Sequence, residues 1–491
     1  MMMLDKDLES IQEVRKLLEQ AKLAQQQIEK MTQVQVDQIV QSMAQAATKE
    51  AGRLAAMAVD ETGYGKIEDK RTKNLFSARD IYESMKDKKT VGIISRNEEK
   101  QVWEVAEPVG IIAGIVPSTN PTSTAIFKAL ISLKSRNAIV FSPHPAAAKC
   151  TNETVRILQE AAERANAPKG IISSITNPTL SSAHELINHK LTDLILATGG
   201  TDMVKAAYSS GKPAYGVGPG NVPVFIHSSA NVEKAVKQIV QSKTFDYGTI
   251  CASEQALIIE KSIKRKVKKE LENKGAYFLD DYEKKKIEEI IMVNGRLNPG
   301  IVGKSPQALA NMAGIFVSDG VKVLIAEETN IGKSYPFSVE KLSPILAYYT
   351  VEDWQEASHV CNELLKVGGL GHTIGIHSEN KQIIEKIGLE QRVSRVVVNS
   401  GTTFGGIGAT TGITPSMTLG CGTYGNNVSS DNIGPEHLLN IKRIAFGISE
   451  MSNEQESDNI HALKEETGSE KTISRSEVMD IVKSVLQELK L

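Results

Sequence analysis

The 491-residue chain contains no apolar run of bilayer-spanning length, stretches such as 138–141, 194–197 and 396–398 falling far below it, so no membrane helix is expected. Neither sign of charge is in excess. Fifty-seven Lys and Arg stand against 59 Asp and Glu, which leaves no global footprint for nucleic acid and no polybasic cluster for a membrane surface. Cysteine is scarce: Cys150, Cys251, Cys361 and Cys421 form no C-x-x-C pair, which excludes a zinc knuckle or a thioredoxin-like motif and gives no metal site. Their density is too low for a disulfide scaffold, so reduced thiols in a cytoplasmic protein are expected. The N-terminus opens acidic and amphipathic instead of basic then apolar, against a secretory signal. No repeat of solenoid or propeller period is present. What remains is an ordinary globular composition, 41% hydrophobic and 24% charged, with length for two to four domains.

Short β-branched runs alternate with helical periodicity through most of the length. Residues 109–116, 138–141, 171–175, 193–197, 222–226, 255–260, 323–326, 345–349, 373–377 and 395–399 read as buried strands, and stretches near 123–133 and 149–165 as helices. Continuous apolar strands spaced by helices predict parallel sheets in an α/β fold. The first 80 or so residues read as helices, and 90–95 with 101–106 as a more polar hairpin. Between 448 and 472 there are seven acids, two lysines and no aromatic, too little apolar surface to offset ordering entropy, which predicts a flexible linker. Beyond it, Ser474 and Glu477 have capping-box spacing, and Val478, Ile481, Val482, Val485, Leu486 and Leu489 form one apolar helical stripe.

Three segments carry chemistry. Cys251 follows a glycine turn and precedes a buried strand, a setting that can hold a nucleophilic thiolate, although a lone cysteine is more often a small buried hydrophobe. Asn120 lies in Pro117-Ser118-Thr119-Asn120-Pro121, where its amide could donate to an oxyanion or simply form a turn or helix cap. Thr198, Gly199 and Gly200 join a strand end to a helix start, which suits a phosphate, but they do not spell the G-x-G-x-x-G fingerprint.

In this order and spacing, residues 117–123, 127–135, 142–147, 195–220, 242–255, 340–344, 368–373 and 419–442 resemble the CoA-acylating aldehyde dehydrogenases, nearest the aldehyde half of bifunctional aldehyde–alcohol dehydrogenases. The resemblance covers residues 5–445. It implies a cofactor-binding domain over 1–229 with an oligomerisation hairpin near 90–106, a catalytic domain over 230–413 and a return segment over 414–447 that joins subunits. It also implies that Cys251 is the nucleophile that carries the acyl thioester and that Asn120, with the Cys251 N–H, forms the oxyanion hole. Thr198, Gly199 and Gly200 fall on the dinucleotide turn, Ser142, Pro143, His144 and Pro145 at the adenosine ribose, and Glu340 at the nicotinamide ribose, where residue type alone would suggest a surface carboxylate. His372 is either an aid to thiol deprotonation or CoA binding, or a structural histidine beside a glycine turn. Cys150, Cys361 and Cys421 receive no catalytic role.

One departure is mechanistic. Hydrolytic members of the superfamily carry a water-activating glutamate in an E-L-G-G-K-type motif, whereas residues 216–221 here read Gly-Val-Gly-Pro-Gly-Asn. Without that base water attack is slow, and a thiol is the easier acceptor. The implied reaction is a short-chain aldehyde (acetaldehyde first, propionaldehyde next) with NAD and coenzyme A giving acyl-CoA and NADH, by a homo-oligomer of at least two chains. A hydrolytic or reductive relative, or a catalytically decayed assembly protein, is the competing expectation. The helix over 473–491 resembles the encapsulation peptides of bacterial microcompartments, with a shell protein as its partner.

Overall fold

The computed structural model of the protein describes residues 5–449 and 474–488. The linker expected over 448–472 lies, from residue 450 on, outside the described residues. Helices open the chain as the periodicity predicts. Lys6–Ile28 and Gln33–Thr62 each bury one face, and the second runs from a Thr32–Gln35 capping box to Gly63, whose φ of 66° allows the left-handed exit. Ile67–Leu75 follows and, although densely charged, buries Lys70 and Lys73.

Two parallel sheets carry the core. In the first the strands lie side by side as Ile172–Ser174, Ala138–Pro143, Ile111–Val116, Leu194–Thr198 and Ala214–Val217. Counted along the chain the order is 3-2-1-4-5, so it reverses between Ile111–Val116 and Leu194–Thr198, where a doubly wound sheet opens its ligand crevice. Every residue of Ile111–Val116 and Ala138–Pro143 is buried, which is why both read as unbroken apolar runs. Buried Lys128 spans the reversal, donating to Ile115 O at 2.6 Å and Leu196 O at 2.7 Å.

The second sheet has seven strands, in the order Ala276–Phe278, Val323–Glu327, Ile345–Val351, Glu254–Glu260, Val222–Ile226, Gly371–His377 and Val393–Val398, every neighbouring pair parallel. Two strands of these two sheets were hidden in the sequence. Ala214–Val217 has Gly216 inside it and Pro213 before it, and Ala276–Phe278 is only three residues long.

The strand pair expected around 96–99 is present as Gly92–Asn97 and Val102–Pro108, in a three-stranded sheet completed by Leu439–Ala445. Of the described residues, those up to Ile94 with Val105–Lys442 form one compact unit, and Ser95–Glu104 with those from Arg443 form another. Within the second, Trp103 meets Phe446 edge-on at 5.1 Å and Arg96 stacks over Trp103 at 4.7 Å. Its helix Arg475–Glu488 starts from the expected box, with Ser474 N–H donating to Glu477 at 2.9 Å and the Glu477 N–H returning to Ser474 Oγ at 3.4 Å. Val478, Ile481, Val482 and Val485 on that helix are exposed. Among the described residues no helix is long and apolar enough to cross a membrane.

Candidate active site

Four adjacent strands of the seven-stranded sheet bring the sequence-selected residues to one edge. Ile345–Val351, Glu254–Glu260, Val222–Ile226 and Gly371–His377 are neighbours, so the segments entering or opening them, which bear Glu340, Cys251, Gly220 and His372, converge. Gly220 is where they cross. Its N–H donates to Glu340 Oε1 at 2.8 Å, and a Cβ there would collide with the Cys251 carbonyl and sit 3.3 Å from His372 Cε1. Only glycine permits so close an approach.

The chain enters Cys251 through an unusual turn. Asp246, Tyr247 and Gly248 have φ of 49°, 52° and 75°, three left-handed residues in a row, two of them with side chains. Each such non-glycine residue costs about 1–3 kcal/mol, and persists only when its surroundings over-determine it. Here the surroundings are a buried charge cluster. Asp246 Oδ2 accepts from Lys73 Nζ at 2.5 Å, Lys70 Nζ at 3.0 Å and Thr249 Oγ1 at 2.6 Å, while Oδ1 accepts the Lys66 N–H at 2.7 Å. Burial alone would raise the Asp246 pKa, yet the two ammonium groups and the hydrogen bonds hold it below the ordinary carboxylate value.

Asn120 sits at the start of helix Pro121–Lys134, just past strand Ile111–Val116, but its side chain caps nothing. Instead Oδ1 accepts from Lys73 Nζ at 2.5 Å, and Nδ2 donates to Thr249 O at 3.1 Å and lies 3.2 Å from Thr119 Oγ1. The two sheets therefore meet through this amide, two residues before Cys251.

Burial, then the Glu340 carboxylate and the Cys421 thiol, push the Cys251 thiol up to about 12, with Arg395 and the residue's own N–H pulling the other way. That N–H meets no acceptor among the described residues other than its own thiol. Glu340 is no surface carboxylate: burial raises it to about 7, against the Gly220 N–H and Lys243. His372 is fully buried, with Nδ1 3.0 Å from Thr373 Oγ1 and Nε2 without a partner among the described residues. Burial and Arg395 hold it well below the usual imidazole value, so it is neutral. Arg395 is itself pinned by His372 O at 3.0 Å, Thr373 Oγ1 at 3.1 Å, Asn432 Oδ1 at 3.2 Å and Ser430 O at 3.3 Å.

The other selected residues gather at the carboxyl ends of the first sheet. Ser142 and Pro143 end one strand, His144 and Pro145 open the turn after it, and Thr198 ends the strand across the reversal. Gly200 then starts helix Thr201–Ser209 with no side chain capping it, and a Cβ at Gly200 would meet nothing within 4 Å. Free backbone N–H groups behind a small residue are a ready anion site.

Sequence reading passed over Lys70, Lys73, Asp246, Gly220 and Arg395. Asp246 had a signal, being an acid inside the otherwise uncharged run between Lys243 and Cys251. Lys70 and Lys73 had none, since lysines three apart in a polar helix read as a solvated face.

The sequence pattern of the aldehyde dehydrogenase family matches residues 7–278. The fold superposes on a crystal structure of an acetylating aldehyde dehydrogenase from Geobacillus thermoglucosidasius with a TM-score of 0.91 and 66% identity, covering 91% of this chain and 99% of that one. The chain is 44% identical over 441 residues to the bifunctional aldehyde-alcohol dehydrogenase AdhE of Escherichia coli K12, covering 89% of this chain and 50% of that protein. It thus spans about half the length of the aldehyde-alcohol dehydrogenases it matches. A propionaldehyde dehydrogenase from the Clostridium phytofermentans fucose utilisation bacterial microcompartment aligns with a TM-score of 0.81 and 28% identity, covering 89% of this chain and 98% of that one. The chain belongs to the aldehyde dehydrogenase family.

Proposed function

We propose that this chain oxidises a short-chain aldehyde with NAD⁺ and CoA to acyl-CoA and NADH, through a thioester at Cys251. The observation that carries the reading is the Gly220 crossing. The stretch 216–221 packs against the Cys251 backbone and brings no carboxylate of its own, while the one that reaches it, Glu340, is held on the Gly220 N–H. Water attack on an acyl-enzyme needs a dedicated base, whereas a thiol ionises far nearer neutrality.

At rest Cys251 is a protonated thiol, so attack on the aldehyde carbon begins with loss of that proton. Neutral His372, whose buried Nε2 has no partner among the described residues, is the proposed aid to that loss and later to CoA deprotonation. The oxygen that becomes anionic is met by the Cys251 N–H and by Asn120 Nδ2, which exchanges its contact with Thr119 Oγ1 for the substrate. NAD, when bound, supplies the hydride acceptor. The residues present suit it: the uncapped start of Thr201–Ser209 behind Thr198, Gly199 and Gly200 would hold the pyrophosphate, Ser142–Pro145 the adenosine ribose and Glu340 the nicotinamide ribose. In this reading the first sheet is the cofactor domain and the seven-stranded sheet the catalytic one. Acetaldehyde is the favoured substrate, supported by the acetylating relative, and propionaldehyde the next.

The same reading makes the enzyme a homo-oligomer joined through the strands at 92–108 and 439–445. It takes residues 474–491 as an encapsulation peptide that docks on a shell protein and places the cytoplasmic enzyme inside a bacterial microcompartment. Exposed Val478, Ile481, Val482 and Val485 support the docking, as does the microcompartment relative. A fluorescent fusion of 474–491 beside an expressed shell should form puncta that Val482→Glu/Val485→Glu disperses. The activity is tested by NADH formation from acetaldehyde with and without CoA. CoA-dependent NADH and acetyl-CoA in equal amounts are expected, and CoA-independent release of acetate would overturn the assignment in favour of a hydrolytic enzyme.

A further inference from the structure

We propose that Lys73 is a positioning residue for this reaction, fixing the side-chain amide of Asn120 so that its oxygen faces the ammonium and its nitrogen faces the nucleophile turn. The proposal rests on the reading of Asn120 as an oxyanion donor. An ammonium has three hydrogens to donate and no lone pair to accept with. All three are committed: Asn120 Oδ1 lies at 2.5 Å, Asp246 Oδ2 at 2.5 Å and Thr249 Oγ1 at 2.8 Å. Only one orientation of the amide is compatible with that donor. Turning it over would set an NH₂ against the ammonium and a carbonyl oxygen against Thr249 O, losing two hydrogen bonds and creating two like-polarity contacts.

The ammonium also does more than orient. A charge-assisted hydrogen bond to Oδ1 draws electron density from the amide and makes its N–H bonds stronger donors. The second lysine supports the same loop from one residue earlier, Lys70 Nζ donating to Thr119 O at 2.9 Å. Asp246 pairs with both buried lysines in one place, at 3.0 Å from Lys70 Nζ and 2.5 Å from Lys73 Nζ. Burial draws Lys73 down to about 8, with Asp246 opposing the shift, so the protonated form prevails at neutral pH.

A buried ion cluster could equally serve stability alone, and a double-mutant cycle separates the two roles. Lys73→Met removes the ammonium at similar volume, and Lys73→Gln keeps a neutral donor. Each is made in the wild-type and in the Asn120→Ala background, and pre-steady-state NADH formation is followed with the rate of Cys251 alkylation by iodoacetamide. Asn120→Ala should slow acylation about 10²–10³-fold. Lys73→Met should slow it about 10–10²-fold in the wild-type background but less than about threefold in the Asn120→Ala background, since residues acting as a unit are not additive. Lys73→Gln should recover part of the loss, and alkylation of Cys251 should stay within about threefold in every folded variant. Equal losses from Lys73→Met in both backgrounds, or an alkylation rate that falls in step with acylation, would overturn the proposal. If Lys73→Met does not fold, the two Lys73→Gln variants decide by the same criterion. An Asn120→Ala enzyme of wild-type rate removes the reading of Asn120 itself, and Lys73 with it, whereas additivity removes Lys73 alone.

Discussion

The two turns that the proposed function assigns to cofactor and nucleophile are built on opposite principles. At 198–201 the chain passes from strand to helix through two glycines, with no side-chain cap and with open space in front of Gly200. At 246–251 three successive left-handed residues are clamped by a buried carboxylate, two buried lysines and a threonine. A site that grips a ligand with backbone N–H groups needs vacancy and small residues. A site that must aim one sulfur and one amide needs side chains committed elsewhere so that those two cannot move. The first kind tolerates change at the fold's level, and the second does not.

Four measurements would break or sharpen that contrast. The largest effect is expected at Cys251→Ala, which should lower turnover by more than about 10³-fold while NADH binding at the other turn persists. Residual CoA-dependent activity of a few per cent would move the nucleophile elsewhere. Asp246→Asn should come next, because it strands Lys70 and Lys73, and unfolding by denaturant should register a loss of about 3–5 kcal/mol. The pH dependence carries the sign. Asp246 has a folded-state pKa below its unfolded value, so its stabilisation is complete above the unfolded pKa of about 3.9 and is lost as pH falls through the folded value, a loss Asp246→Asn should not share.

Glu340 has the opposite sign. Its folded pKa of about 7 exceeds the unfolded value, so it adds stability as pH falls from 7 towards the ordinary carboxylate range. If the carboxylate form is needed for turnover, kcat/KM should rise across pH 7 in the wild type and stay level there in Glu340→Gln. The smallest effect belongs to the open turn. Gly200 has φ of −67°, so Gly200→Ala should leave the fold intact or raise stability by about 0.4–1 kcal/mol, while KM for NAD rises with kcat unchanged. A drop in melting temperature would mean that this turn too is braced.

Much of this was readable before any coordinates. The α/β class followed from unbroken runs such as 111–116, whereas Cys251 and Asn120 stood out only as candidates at strand and helix boundaries and drew their expected roles from the family resemblance. The weak spots have physical causes. A three-residue strand such as Ala276–Phe278 has too short a pattern to register, and Gly216 conceals the one that contains it. Whether Asn120 capped its helix depended on where its amide turned, which no local signal reports. Lys73 was invisible because burial of a lysine is decided by an acid far along the chain.

That distance has a kinetic meaning. Lys66, Lys70 and Lys73 reach Asp246 across 180, 176 and 173 residues of chain, with both strands at the reversal of the first sheet lying between them. Contacts of such separation close slowly, after the local helices and the neighbouring strands have formed. Until they close, nothing compensates the left-handed residues of 246–248, and the turn relaxes to an ordinary conformation. The braced turn before Cys251 is therefore expected among the last features to form. A partly folded chain would carry Cys251 without the braced turn before it, and recovery of activity on refolding should trail recovery of helical signal.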